Sequence, residues 1–244
     1  MGDAAVRVLV IPDVHLKPHM FDLADAIPNS EYDAIVCLGD IADDWNARVG
    51  DYEKTYKRAL IFAEQHKDNI YWCYGNHDVS YMYASNGLVF LESGFNDDAA
   101  LITSGFLKSL KMILGDRLAV IHKIDDTLFS HAGLSVPFVE DYLHYLVTDN
   151  IEDIVNRINS LIDASCIRLL WNDYSPLWVR PQHAFIDMLE PYLQVVGHTP
   201  VEVAEREGNI LSLDTFSTYS DGSNIGDARL CIVDTKEMKV RGKK

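Results

Sequence analysis

The chain has 244 residues, 48% of them apolar and 24% charged, the balance of a globular protein able to bury a sizeable core. Its formal net charge of −16 argues against a basic nucleic-acid-binding face and against attraction to anionic membranes. The same charge suits a protein that gathers carboxylates around divalent cations. Cys37, Cys73, Cys166 and Cys231 are far apart and form no CxxC, which reads as reduced, structural thiols. No signal-peptide pattern or apolar stretch of bilayer length is read, and Val6 breaks the myristoylation pattern. The expectation is a cytoplasmic protein forming a single domain over residues 1–244.

VRVLVI (6–11), AIVCLG (34–39) and IYWCYG (70–75) are continuous apolar runs, the pattern of strands covered on both faces and usually parallel. Between the second and third, Tyr52, Tyr56, Leu60 and Ala63 recur at helical spacing over 51–67, which predicts βαβ crossovers. The stretch 80–115 shows no clear pattern and is expected to form a helical cap beside the site. LAVIH (118–122) and TLFSH (127–131) predict a hairpin across Asp125-Asp126. The stripe Ile151, Ile154, Val155, Ile158 and Leu161 predicts a helix over 150–163, and Pro181 and Pro191 bracket a second over 181–190. YLQVVG (192–197), ILSLD (210–214) and RLCIVD (229–234) add strands, and the basic end KVRGKK reads as a solvated tail. The class is α/β or α+β with two sheets.

Five of the apolar runs end in polar side chains. Asp13-Val14-His15 follows the first, Asp40-Ile41-Ala42-Asp43 the second and Asn76-His77-Asp78 the third, while His131 and His198 stand at two later strand ends. In an open α/β sheet such ends converge on one crevice. Any one cluster is ordinary turn chemistry. Together they would set like charges side by side unless a cation sat among them. Asp13, His15, Asp40, Asn76, His131 and His198 are too many for one catalytic zinc and suit two metals sharing a carboxylate. Mixed oxygen and nitrogen donors fit manganese, iron, zinc or cobalt.

These motifs resemble those of the calcineurin-like metallophosphoesterases, and within them the phosphoprotein phosphatase branch. The family pattern reads here as Asp13-Val14-His15, Gly39-Asp40-Ile41-Ala42-Asp43, Gly75-Asn76-His77-Asp78, His131-Ala132-Gly133 and Gly197-His198-Thr199, in the family's order. Pro200 stands where many phosphodiesterase members carry a further metal-binding His. LLWNDYSPLWVRP (169–181) is similar to the phosphatase segment in which Leu-Leu-Trp and a later Arg flank a substrate loop. The resemblance implies a four-layer αββα sandwich, two mixed sheets flanked by helices. It implies that Asp13, His15 and Asp40 hold one metal and Asp40, Asn76, His131 and His198 a second, with manganese the first candidate. A hydroxide bridging the pair would attack phosphorus. Arg180 and Asn76 would bind the phosphoryl group, and His77, oriented by Asp43, would protonate the leaving alkoxide. Asp78 is expected to fix the turn by accepting from backbone amides.

One position departs from the pattern. Phosphoprotein phosphatases normally have Arg directly after the second Asp of Gly-Asp-x-x-Asp, and here that residue is Asp44. The pocket must differ on that side, with Lys17 or Arg48 as candidate cations. The implied activity is hydrolysis of phosphomonoesters, first phosphoserine or phosphothreonine in proteins. A nucleotide substrate such as diadenosine tetraphosphate is the alternative, and a non-catalytic metal-binding scaffold the third reading. His19, His66, His122, His144, His183 and Asp214 read as structural. Trp178, beside Arg180, is preferred to Trp45 and Trp171 as a wall of the cleft.

Overall fold

Arg7–Ile11 (β1), Ala34–Cys37 (β2) and Ile70–Cys73 (β3) lie side by side and parallel, as their unbroken apolar runs predict. The computed structural model describes residues 5–85, 87, 94–163, 166–182, 186–236 and 240–243. Alternate side chains of a strand point to opposite faces, so each run serves two cores. Val8, Val10, Ala34 and Val36 meet Phe129, Leu193, Val195 and Leu211 in the layer between the sheets. Leu9, Ile11, Ile35 and Cys37 face the other way, onto Met20 and Phe21 of helix α1 (His19–Asp25) and Tyr52 and Phe62 of α2 (Val49–Gln65). Each fully buried Val, Leu, Ile or Phe contributes about 1.5–3 kcal/mol relative to exposure.

The first sheet also contains Leu118–Ala119 (β4), parallel to β3, and Leu230–Asp234 (β10), antiparallel to β1. Ile121–Ile124 (β5), Thr127–Ser130 (β6), Leu193–Val196 (β7), Glu205–Glu207 (β8) and Ile210–Ser212 (β9) form the second, in the order β5-β6-β7-β9-β8. Both sheets are mixed and flanked by helices, the architecture expected. Helices α3 (Asn76–Ser85) and α4 (Ala100–Leu114) occupy part of the stretch that gave no sequence pattern, and α5 (Ile151–Ser160) starts at an Asn150 cap.

Three expectations need correction. The run 118–122 is not one strand: β4 belongs to the first sheet, and after Val120 the chain enters the second as β5, which forms the Asp125-Asp126 hairpin with β6. Asn159 of α5 covers the crossing, its Oδ1 accepting from the Val120 and Ile121 amides at 3.0 Å each. The described part of 181–190 is not helical: Pro181 and Gln182 form a turn, and Met188 makes an antiparallel bridge to Ser135. The basic end is not a free tail either, because Val240–Lys243 (β11) pairs antiparallel with β10. All four cysteines are free thiols, three of them buried.

Candidate metal centre

Because β1, β2 and β3 run parallel, their following loops leave the sheet on one side, and the backbone ties those loops together. The Val14 and His15 amides both donate to the Asp40 carbonyl, at 3.1 and 2.8 Å, and the Leu16 amide donates to that of Ile41. β6 and β7 deliver His131 and His198 to the same place, where the Gly197 amide donates to the His131 carbonyl at 2.8 Å. The turns are tight enough to force a left-handed backbone on four polar residues. His15 has φ 40°, Asp40 45°, Asp43 63° and His198 63°. Each such residue costs on the order of 1–3 kcal/mol, and strain of this kind gathers at functional sites. Two glycines leave the room: a Cβ on Gly75 would lie 2.0 Å from Asp40 Oδ1, and one on Gly197 1.9 Å from Asp13 Oδ1.

The side chains form two groups that share Asp40. One contains Asp13, His15 and Asp40, the other Asp40, His131 and His198, with the ligand atoms of each group within 4.8 Å of one another. His15 Nδ1 donates to the Asp43 carbonyl at 2.9 Å, which leaves Nε2 as a lone pair 3.9 Å from oxygens of Asp13 and Asp40. His131 Nδ1 donates to the Leu38 carbonyl at 3.0 Å. Its Nε2 therefore faces Asn76 Oδ1 at 2.8 Å, His198 Nδ1 at 3.1 Å and Asp40 Oδ2 at 3.2 Å. His198 Nε2 is buried without a hydrogen-bond partner among the described residues. Metal-binding atoms thus converge on one another, with carbonyls fixing the tautomers of His15 and His131 from outside, as second-layer groups do around metals. This donor set fits a pair of divalent cations.

The electrostatics say the same. Burial drives the Asp13 carboxyl well above its usual range, and neighbouring Asp214 adds to the rise. Burial also opposes ionisation of Asp40, but the imidazoles of His131, His77 and His15 hold it below the carboxylate range. Burial works against charge on His131, yet Asp40 and Asp13 lift it to about 10. Positive charge is called for at this point, and a proton on His131 supplies only part of it.

Beside the centre, His77 Nδ1 lies 2.9 Å from Asp43 Oδ2, and the His77 amide donates to Asp40 Oδ1 at 2.9 Å. Asp78 accepts from the Gly75 and Ile41 amides at 3.0 Å each, the turn-fixing role expected of it. Burial raises its carboxyl to about 7. Arg180 Nη1 donates to Thr199 Oγ1 at 3.1 Å, and its side chain lines a cavity of about 440 Å³ with His15, His77, Asp43, Trp45 and Tyr219. A larger cavity of about 690 Å³, lined by Val136, Met188 and Ile210, holds none of the donor residues.

The structure brings together Asp13, His15, Asp40, Asn76, His131 and His198, with His77, Asp43 and Arg180 beside them, and separates the candidate cations. Lys17 Nζ pairs with Asp44 Oδ2 at 3.0 Å, whereas Arg48 is exposed at the start of α2. Trp178 packs edge-on against His198, Trp171 packs against Tyr83 and Trp178, and exposed Trp45 donates through Nε1 to the Thr218 carbonyl at 2.9 Å. His122 is structural, bonded to the Trp72 carbonyl at 3.1 Å, and Asp214 is held by Ser217 close to Asp13. His183 lies outside the described residues. Two contributors escaped sequence reasoning: the hydroxyls of Tyr52 and Tyr81 both reach Asp43. Tyr52 reads as part of a helix stripe, and only its place soon after the Asp40–Asp43 motif hints at more.

Residues 6–224 match the calcineurin-like phosphoesterase family. No curated protein matches the chain in sequence. Two structures of a cold-active protein tyrosine phosphatase, one from a psychrophilic Shewanella species, share its fold. They align over 98% of this chain and 78% and 81% of theirs, at 18% and 17% identity and TM-scores of 0.60 and 0.56. A Saccharomyces cerevisiae protein serine/threonine phosphatase aligns over 98% of this chain and 79% of its own, at 14% identity and a TM-score of 0.59. A putative diadenosine tetraphosphatase aligns over 100% and 95%, at 15% identity and a TM-score of 0.50.

Proposed function

The chain is a metal-dependent phosphoester hydrolase of the calcineurin-like phosphoesterase family, and from that premise we propose that its substrates are phosphomonoesters, first phosphoserine or phosphothreonine in proteins. The observation that carries the reading is a pair of donor groups sharing Asp40, set beside a His77–Asp43 pair and an Arg180 that line one cavity. Asp13, His15 and Asp40 would hold one cation, and Asp40, Asn76, His131 and His198 the other, manganese being the first candidate for both. When bound, the two cations neutralise phosphoryl oxygens and acidify the attacking water. Arg180 holds the phosphoryl group by charge-assisted hydrogen bonds, with the Asn76 amide group beside it. His77, kept in orientation by Asp43, gives its proton to the departing alkoxide. Within this reading the whole chain acts as one domain. The described part of 80–115, namely the end of α3, the 94–98 turn and α4, forms its cap, and Gly94 lines the cavity with His77.

A nucleotide hydrolase is the second reading. The exposed rings of Trp45 and Tyr219 line the cavity that holds Arg180, and such faces stack on bases. The test compares initial rates of the manganese-loaded protein on p-nitrophenyl phosphate and bis(p-nitrophenyl) phosphate. A preference for the monoester is expected and leads to a phosphopeptide panel beside nucleotides. A preference for the diester would overturn the monoesterase assignment.

A further inference from the structure

The carboxylate of Asp43 is 1% exposed and has a separate task for each oxygen. Oδ2 takes His77 Nδ1. Oδ1 accepts from two phenols, Tyr52 at 2.7 Å and Tyr81 at 2.5 Å, on helices α2 and α3. Both tyrosines are fully buried. The Tyr81 hydroxyl also accepts the Asn96 amide at 3.0 Å, so its own proton is committed to Asp43. Phe95, one residue before that amide, stacks on the Tyr81 ring with centroids 4.4 Å apart.

A single donor would leave the carboxylate free to rotate about its last torsion, which is broad for Asp. Two donors from separate helices on the oxygen remote from His77 fix the carboxylate plane, and with it the line along which the imidazole points. We propose that Tyr52 and Tyr81 are positioning residues for leaving-group protonation, locking Asp43 so that His77 Nε2 is aimed at the ester oxygen. The inference rests on the reading of His77 as the acid. In the step concerned, the phosphorus–oxygen bond to the leaving group breaks and the His77 proton forms the new O–H bond, which leaves a neutral imidazole and an alcohol. The lock matters for alkoxides and simple phenolates, which leave poorly without a proton. It matters far less for p-nitrophenolate. Through Asn96 and Phe95 it also ties the acid to the turn that borders the cavity, so the segment beside the leaving group and the proton donor are held by one hydroxyl.

The experiment measures kcat and KM of the manganese-loaded protein on phenyl phosphate and p-nitrophenyl phosphate for Tyr52→Phe, Tyr81→Phe, the double variant and His77→Asn, with metal content assayed in each. The double variant is expected to lose about tenfold or more in kcat on phenyl phosphate, part of the typical effect of general acid catalysis. Its loss on p-nitrophenyl phosphate should be several-fold smaller, with KM and metal content unchanged. Equal loss on both esters, or no loss, while His77→Asn remains selective would overturn the inference and make the tyrosines mere packing. If His77→Asn is itself unselective, the acid assignment fails instead. Should the double variant not fold, Tyr52→Phe alone gives the same ratio, since it leaves the Asn96–Tyr81 bond in place.

Discussion

His131 Nε2 and His198 Nδ1 face each other across 3.1 Å, with Asn76 Oδ1 and Asp40 Oδ2 completing a ring of acceptors. A proton on His131 Nε2 can serve only one of these partners at a time, so the cluster as a whole still favours a divalent cation. Adding manganese to chelator-treated protein should therefore raise its melting temperature. At a hundredfold excess over Kd the gain is about 2.7 kcal/mol, or roughly 5–10 °C for a chain of this size. Differential scanning fluorimetry gives the answer, and His131→Ala should abolish the shift. An unchanged melting temperature in the wild type would remove the metal centre from consideration.

Arg180 reaches the cavity while anchored to Thr199 Oγ1. Arg180→Ala should lower kcat/KM on p-nitrophenyl phosphate by about 10- to 100-fold, the effect of losing roughly 1.5–3 kcal/mol of charge-assisted hydrogen bonding. Arg180→Lys should recover little, because an ammonium offers a point charge in place of a planar fork. Steady-state kinetics would count against the clamp if the two variants behaved alike and close to wild type.

Lys17 and Asp44 form an ion pair at 3.0 Å on the side where the family's arginine would stand. The lysine masks a carboxylate that would otherwise repel a phosphate dianion. Lys17→Ala should raise KM for the monoester several-fold, with the effect shrinking as salt rises. Asp44→Asn should do the reverse and lower KM, since it frees the ammonium. A rise in KM in both variants would mean that the pair only holds the Trp45 loop.

His122 is buried, and burial lowers its pKa to about 4 from an ordinary 6.5. The folded state thus binds its proton less readily than the unfolded chain. Stability is fully present above pH 6.5 and is lost as pH falls from there to about 4. The full loss is roughly 3 kcal/mol. His122→Gln, which can still donate to the Trp72 carbonyl, should flatten this part of the profile. Urea midpoints across the range test it, and parallel wild-type and variant curves would exclude His122 as the source.

Much of the site is legible because each ligand follows an apolar run with nothing but turn residues between. Asp13, Asp40, Asn76, His131 and His198 are all of this kind, and parallel strands carry them to one edge. What escaped has physical reasons. Val120 is as apolar as its neighbours, so nothing in the run 118–122 marks the passage from one sheet to the other. Proline at both ends of 181–190 looks like helix punctuation, but Met188 is spent on a bridge to Ser135. β11 is an edge strand whose sequence, Val-Arg-Gly-Lys, is charged, as edges often are, and so offers no apolar run to read. Tyr52 and Tyr81 read as ring bulk, whereas their role lies in the hydroxyl, whose partner is set only by tertiary packing.

The layer of Val8, Val10, Phe129 and Val195 between the sheets has a mechanical consequence. Asp13, Asp40 and Asn76 ride on the first sheet, His131 and His198 on the second, so the cation shared by Asp40, Asn76, His131 and His198 would act as a rivet through both. Any sliding of one sheet across the other would open the ring of donors before it broke a single strand. Core substitutions far from the rim should then register first as weakened metal affinity, with the fold itself still intact.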